Sequence, residues 1–203
     1  YAYQFEQNHV FDPKPDPDDP FAIDERWRQA RLTSSVIIDT RNDPLDPRSG
    51  LLHSSNLEFG LEVLGRNGRF VKYSAQQFVF RELFQGLVGR GTPGRPASGS
   101  GLVSASGARL SVGRGFGQDL IVSERFYAGG ANTVRGYPED ALGGFDFFGE
   151  PVPGQATVVL NQELRFPLYR WVRGVAFIDA GNVFTRVSDL SLGSLKVGSG
   201  FGL

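Results

Sequence analysis

One arginine, Arg135, sits between a valine and a glycine in RFYAGGANTVRGY, residues 125–137. Its guanidinium is planar, permanently charged and carries five N–H donors in a fixed fork, which matches a carboxylate two bonds at a time. Two carboxylates stand where such a partner is needed. Asp179 interrupts the otherwise apolar GVAFIDAGNVF, where an ionised group requires a partner or water. Glu163 lies in ATVVLNQELRFPL on the face opposite Leu160 and Leu164, and Phe177 shares the face of Asp179 because strand side chains alternate. If these faces line an interior, both carboxylates point at the segment carrying Arg135. Burial of the arginine is costly unless they receive it, and a lysine has no bidentate geometry to replace it. The plainer reading is an arginine at the tip of a surface loop, with both carboxylates solvated.

Other chemistry finds no support in the sequence. There is no cysteine, and the two histidines, His9 and His53, lie in unrelated segments without metal-ligand spacing. No nucleophile-elbow sequence and no glycine-rich phosphate loop after a strand occurs. The net charge is −1 and no basic block is present, so nucleic acid is not an expected partner. The expectation is no catalysis, no metal and no cofactor.

The elements that must position Arg135 are strands. Among 203 residues, 27 glycines and 12 prolines disfavour a helical bundle, while 17 phenylalanines suit pleated surfaces. An all-β fold is expected. In NLEFGLEVL, Leu57, Phe59, Leu61 and Val63 alternate with Asn56, Glu58, Gly60 and Glu62. In ATVVLNQELRFPL, Val158, Leu160, Leu164 and Phe166 share a face against Thr157, Val159, Asn161, Glu163 and Arg165. Further strands are expected at Arg28–Thr40, Phe70–Leu83, Leu102–Arg114, Gly174–Phe184 and Ser194–Leu203, and one more in the opening YAYQFEQNHV, making eight. The connections then fall at Phe11–Trp27, Arg41–Gly50, Gly65–Arg69, Phe84–Gly101, Gly115–Gly154, Pro167–Arg173 and Thr185–Gly193.

Strands of this length exceed the ~5–6 residues usual in soluble sheets and suit the ~9–11 tilted residues that cross a bilayer. Alternation alone is equally compatible with a soluble β-sandwich. Length and the partial segregation of long connections to one end favour a transmembrane antiparallel barrel. No run approaches a membrane-spanning helix, and the pattern begins and stops in mid-strand, as in a piece of a longer protein.

Four segments in order, DTRNDPLDPRSG (39–50), RFYAGGANTVRGY, LNQELRFPL and VAFIDAGNVF, resemble the carboxyl-terminal half of the Omp85 superfamily, the bacterial surface antigen D15 barrels. The resemblance implies that the chain covers roughly strands seven to fourteen of a sixteen-stranded barrel, without the periplasmic POTRA domains or the seam between first and last strands. It implies that residues 115–154 are the sixth extracellular loop, folded back into the barrel with Val134, Arg135, Gly136 and Tyr137 at its tip. Glu163, Phe177 and Asp179 are then its partners in the lumen. Gly129, Gly130 and Gly136 fit close approach or positive φ, and Tyr137 can wedge its ring on the wall with its hydroxyl on a polar group.

The implied function is assembly and insertion of outer-membrane proteins in the outer membrane of a Gram-negative bacterium. The implied partners are unfolded client chains, the lipid bilayer, and accessory lipoproteins or periplasmic proteins. A secretion pore of the same superfamily and a passive barrel module are the alternatives. Apolar residues Leu57, Phe59, Leu61, Val63, Val158, Leu160, Leu164 and Phe166 are expected to face lipid, and Glu58, Glu62, Asn161, Glu163 and Arg165 the lumen.

Overall fold

The computed structural model describes residues 29–62, 69–84, 101–169 and 172–203. Seven strands follow one another in antiparallel order: β1 (Gln29–Asp39), β2 (Gly50–Glu62), β3 (Phe70–Phe84), β4 (Leu102–Gly115), β5 (Ala156–Tyr169), β6 (Val172–Phe184) and β7 (Lys196–Gly202). They form one open sheet in which every strand pairs with its neighbour in sequence. The expected opening strand, the connection Phe11–Trp27 and Val63 lie outside the described residues.

Most boundaries fall near those read from the sequence, with one correction. The second strand begins at Gly50, where the expected connection Arg41–Gly50 ends, whereas β5 and β6 run on to Tyr169 and from Val172, so the connection expected at Pro167–Arg173 shrinks to 170–171. The residues of the polar run HSSN, turn-type serine and asparagine among them, lie within β2. In the sheet they pair in register with Gln77, Gln76, Ala75 and Ser74 of β3.

Register assigns the faces. Directly opposed residues share a side, so Glu58–Lys72–Gly113 and Ala105–Glu163–Phe177 form rows on one face. The segment joining β4 to β5 lies over that face, here termed the covered face. Leu57, Phe59, Leu61, Leu160 and Leu164 point to the other, outer face, and all but Leu57 of these are more than a third exposed. Glu58, Asn161, Glu163 and Arg165 point to the covered face. Val158 differs from its expected environment. Its parity is that of the outer face, yet it is buried with Ala156 and Phe184 because Leu190 and Leu195 of the β6–β7 connection pack over it.

The β1–β2 turn is built by side-chain capping. The Asn42 carbonyl oxygen accepts from the amides of Arg48 and Ser49 at 2.9 and 3.0 Å, and Asp43 accepts from those of Leu45 and Asp46. Those backbone donors hold the Asp43 carboxyl below the usual carboxylate range. The turn closes at Gly50, whose φ of 107° belongs to glycine, and a Cβ there would collide with the Thr40 carbonyl oxygen. Gly50→Ala should therefore destabilise the full-length protein by roughly 1–3 kcal/mol, from positive φ and the collision together. Gly193→Ala, where an added Cβ meets nothing closer than 3.7 Å, should be silent. Denaturant midpoints of the two variants decide it, and equal midpoints would refute the turn argument.

Candidate functional site: an arginine clasp on the covered face

The covered face of β5–β7 is shaped before the arginine arrives. Gly181 of β6 and Gly198 of β7 leave a shallow floor: a Cβ on Gly181 would lie 2.7 Å from a Val134 methyl, and one on Gly198 would strike the Arg135 carbonyl oxygen. Only glycine lets a second backbone lie this close to a sheet. Val134 fills the seat, fully buried with Ala128, Leu142, Val159 and Val183 and flanked by Tyr137.

The intervening segment makes its turns with glycines. Gly129, Gly130 and Gly136 have φ of 134°, 85° and 94°, as expected for a tight reversal. The Thr133 hydroxyl accepts from the Gly129 amide at 2.8 Å and donates to the Gly129 carbonyl at 2.7 Å. Gly130 N–H donates to the Tyr137 carbonyl at 3.1 Å and closes the tip. The Tyr137 hydroxyl donates to the Val197 carbonyl at 3.2 Å. From β7, the Lys196 ammonium donates to the Leu142 carbonyl at 3.0 Å, another tie between segment and sheet.

Arg135 uses its whole fork. Nε and Nη2 donate to Asp179 Oδ2 and Oδ1 at 2.7 and 2.8 Å, Nη1 donates to Glu163 Oε1 at 2.6 Å, and the Arg135 amide donates to Asp179 Oδ2 at 3.1 Å. The guanidinium carbon stands 3.6 Å from the centre of the Phe177 ring, a cation–π stack on the third side. The bond to Asp179 raises the proton affinity of the guanidinium further, Glu163 adding to it.

The carboxylates are themselves positioned. Asp179 is completely buried and also accepts from Asn161 Nδ2 at 2.8 Å, while the same amide nitrogen donates to the Thr133 carbonyl at 2.7 Å. Asn161 thus ties the segment to the strand pair from a second direction. Arg165 Nε and Nη2 grip Glu163 Oε2 at 3.0 and 2.9 Å, leaving Oε1 for Arg135. All four side chains on which the sequence reading centred, Arg135, Glu163, Phe177 and Asp179, are brought into one constellation.

Sequence reading missed a second cluster at the root of the same segment. Glu124, in the 3-10 turn Val122–Glu124, accepts from Arg31 Nη2 at 2.6 Å and Lys72 Nζ at 2.9 Å. Arg31 and Lys72 sit on different strands far apart in sequence, so only parity, which puts Arg31 and Lys72 on one face with Glu58, could have hinted at it.

Neither cluster resembles a reactive centre. The donors saturate the carboxylates, and no group of three or more His, Asp or Glu among the described residues could hold a metal. What the arrangement can do is hold. Removing one member of a desolvated ion pair leaves the other uncompensated at a cost of ~3–5 kcal/mol, and the 24% exposure of the Arg135 side chain places it toward the lower end. Arg135→Ala should be the most damaging single change in this cluster, since two carboxylates lose their cation. Arg135→Lys should recover little, and a double-mutant cycle with Asp179→Asn on barrel melting should show coupling above ~1 kcal/mol. Additive effects would refute a direct clasp.

Comparison with known proteins gives the family of the chain. Residues 1–203 match the Omp85 superfamily domain. The chain is 40% identical over 83 residues to outer envelope protein 80, chloroplastic, of Arabidopsis thaliana, covering 39% of this chain and 10% of that protein. It is 34% identical over 89 residues to outer membrane protein assembly factor BamA of Neisseria meningitidis serogroup B, covering 38% of this chain and 11% of that protein. The matches thus span about a tenth of these curated relatives. The crystal structure of BamA from Haemophilus ducreyi lacking POTRA domains 1–3 superposes with a TM-score of 0.67 over 93% of this chain and 38% of that one, at 15% identity, which shows a shared fold. With the family domain matched from end to end and its fold present in the sheet, the chain belongs to the Omp85 superfamily.

Proposed function

We propose that this chain is part of the barrel wall of an outer-membrane protein assembly factor, acting in the manner of BamA or TamA. The observation that carries the reading is the clasp, in which a segment between two long strands is tied by Arg135 to Asp179 and Glu163 on the covered face. In this reading that face is the barrel lumen, residues 115–154 are the sixth extracellular loop, and the outer face meets lipid. The six strands β1–β6 have 11 to 15 residues, enough to cross a bilayer at a tilt. The relative named an outer membrane assembly factor and the BamA fold support it, and the chloroplast envelope relative extends the same reading to an organelle barrel.

The action is physical. A seam formed by strands outside this chain offers unpaired edges to an incoming client, whose backbone groups are paired as they enter a medium that cannot pair them. The clasp keeps the wall and loop in one arrangement while the seam opens, and no cofactor enters that scheme. The partners are unfolded outer-membrane clients and the bilayer, with accessory lipoproteins or periplasmic proteins alongside.

Depletion of the full-length protein followed by an outer-membrane proteome should show broad loss of barrel proteins. Loss of one secreted protein would instead identify a secretion pore, and an unchanged proteome would identify a passive module. The face assignment has its own test. Leu160→Arg puts a charge on the outer face, at ~2–4 kcal/mol if it lies near the bilayer midplane, and should impair membrane insertion more than Glu163→Gln. Equal damage from both would reverse or remove the lipid face.

A further inference from the structure

We infer that Glu124 is a second anchor of the loop, and that the two anchors, of opposite charge, fix the direction in which the loop lies across the sheet. The inference rests on the reading of residues 115–154 as a lumenal loop. It concerns the loop's root, over β1–β3, whereas the clasp holds the tip over β5–β6.

The sheet prepares a cationic seat at the root. Arg31 of β1 and Lys72 of β3 face the covered side, with the Glu58 carboxylate of β2 between them at 3.3 and 4.0 Å. Among the described side chains, two cations and one anion leave a surplus positive charge. Glu124 closes it with one oxygen on each cation, and at 8% exposure the bond is nearly dry. The aromatic floor supports the same placement. A Cβ at Gly60 of β2 would overlap the Phe70 ring, so the glycine lets that ring lie flat against the strand. Arg31 and Lys72 stand 5.8 and 6.0 Å from the Phe70 centroid, and Lys72 lies 5.3 Å from the ring of Phe126 in the loop.

Backbone contacts bring Glu124 there. Phe126 and Gly154 exchange N–H···O bonds at 2.8 and 2.9 Å, so the two stems of the loop pair beside the sheet, and Gly113 N–H donates to the Gln155 carbonyl at 2.8 Å. Leu120, 1% exposed, packs on Gly113, where a Cβ would meet its methyl at 2.9 Å.

The tip has the opposite polarity. Asp179 makes no ion pair with any sheet cation among the described residues, and Arg135 supplies it. The loop therefore presents an anion to a cationic seat on one flank and a cation to an anionic seat on the other. Reversing the loop would set like charges together at both ends, which disfavours that placement without any steric bar.

The test uses the full-length protein in a cysteine-free background with two buried reporters, Leu120→Cys at the root and Ala128→Cys at the tip, labelled by a membrane-impermeant maleimide. Glu124→Gln should raise root labelling about tenfold, as expected when one partner of a buried charged contact is removed and local opening becomes more frequent. Arg31→Gln, made from the sheet side, should do the same without altering the loop. Glu124→Lys should open the root further, and Glu124→Lys combined with Lys72→Glu should return labelling toward the parent. Unchanged root labelling in both neutral variants, or an exchange no better than Glu124→Lys alone, overturns the second anchor. Arg135→Ala separates this from the reading it rests on: if it exposes the tip while the Glu124 variants leave the root closed, only the second anchor falls. If no variant changes either reporter, the lumenal loop falls with it.

Discussion

The arrangement depends on one buried carboxylate. Asp179 has no exposed surface, and a charge in that position is tolerated only with a cation and enough donors to satisfy both oxygens. The sheet supplies one donor, from Asn161, and everything else comes from Arg135. The β4–β5 segment thus completes the sheet: without it, the sheet would present a carboxylate short of its cation on the covered face. That requirement explains the glycines below as well. Gly181 and Gly198 surrender side-chain packing so that the Val134–Arg135 backbone can come near enough for its amide, as well as its side chain, to reach Asp179.

Phenylalanine on the covered face serves the same electrostatic order. Phe70, Phe78, Phe80 and Phe177 each have a guanidinium or ammonium over the ring, at distances from 3.6 to 6.0 Å. A ring face is a partial negative surface that needs no hydrogen-bond donor, so it can shelter a cation from water without adding another group to satisfy. Arg109 illustrates the use. It has the Phe78 ring at 5.1 Å and donates to the Asn132 carbonyl at 2.6 Å, adding one more contact between β4 and the loop tip. The outer face has a different grammar. Leu160 stands between Ala108 and Ala180 and Leu164 between Ser104 and Ala176, and the amide of Gln162 is held by Ser104 and Ser106, at 2.9 and 2.6 Å. Such a ladder keeps a polar group satisfied on a face that has few other partners.

Period two, aromatic content and glycine punctuation were enough to read strands and faces, because alternation is a local property of the chain. The tip was legible for a related reason: Asp179 breaks an apolar pattern, and a broken pattern names its own requirement. The root carried no such mark. Glu124 stands in an irregular segment without strand alternation, where a glutamate violates no pattern, and Arg31 and Lys72 fit their strands as ordinary covered-face residues. Their convergence is a product of register between β1, β2 and β3 plus the path of a loop. Val158 shows the converse limit: parity gave its side correctly, but the β6–β7 connection that covers it depends on tertiary packing.

Hydrophobic packing alone would not select how the loop lies. Val134, Leu142 and Leu120 gain from burial against any apolar floor, and that gain is non-directional. Charge adds the missing direction, because attraction at the right site and repulsion at the wrong one separate two placements that burial leaves nearly equal. The fork of Arg135 adds angular definition that a lysine at the tip would lack, whereas Lys72 at the root shares a carboxylate with Arg31 and need only supply charge. The two ends therefore differ in kind as well as in sign. The tip is geometrically exacting and the root electrostatically tolerant, so a loop that docks first by its root would be delivered to the tip already oriented.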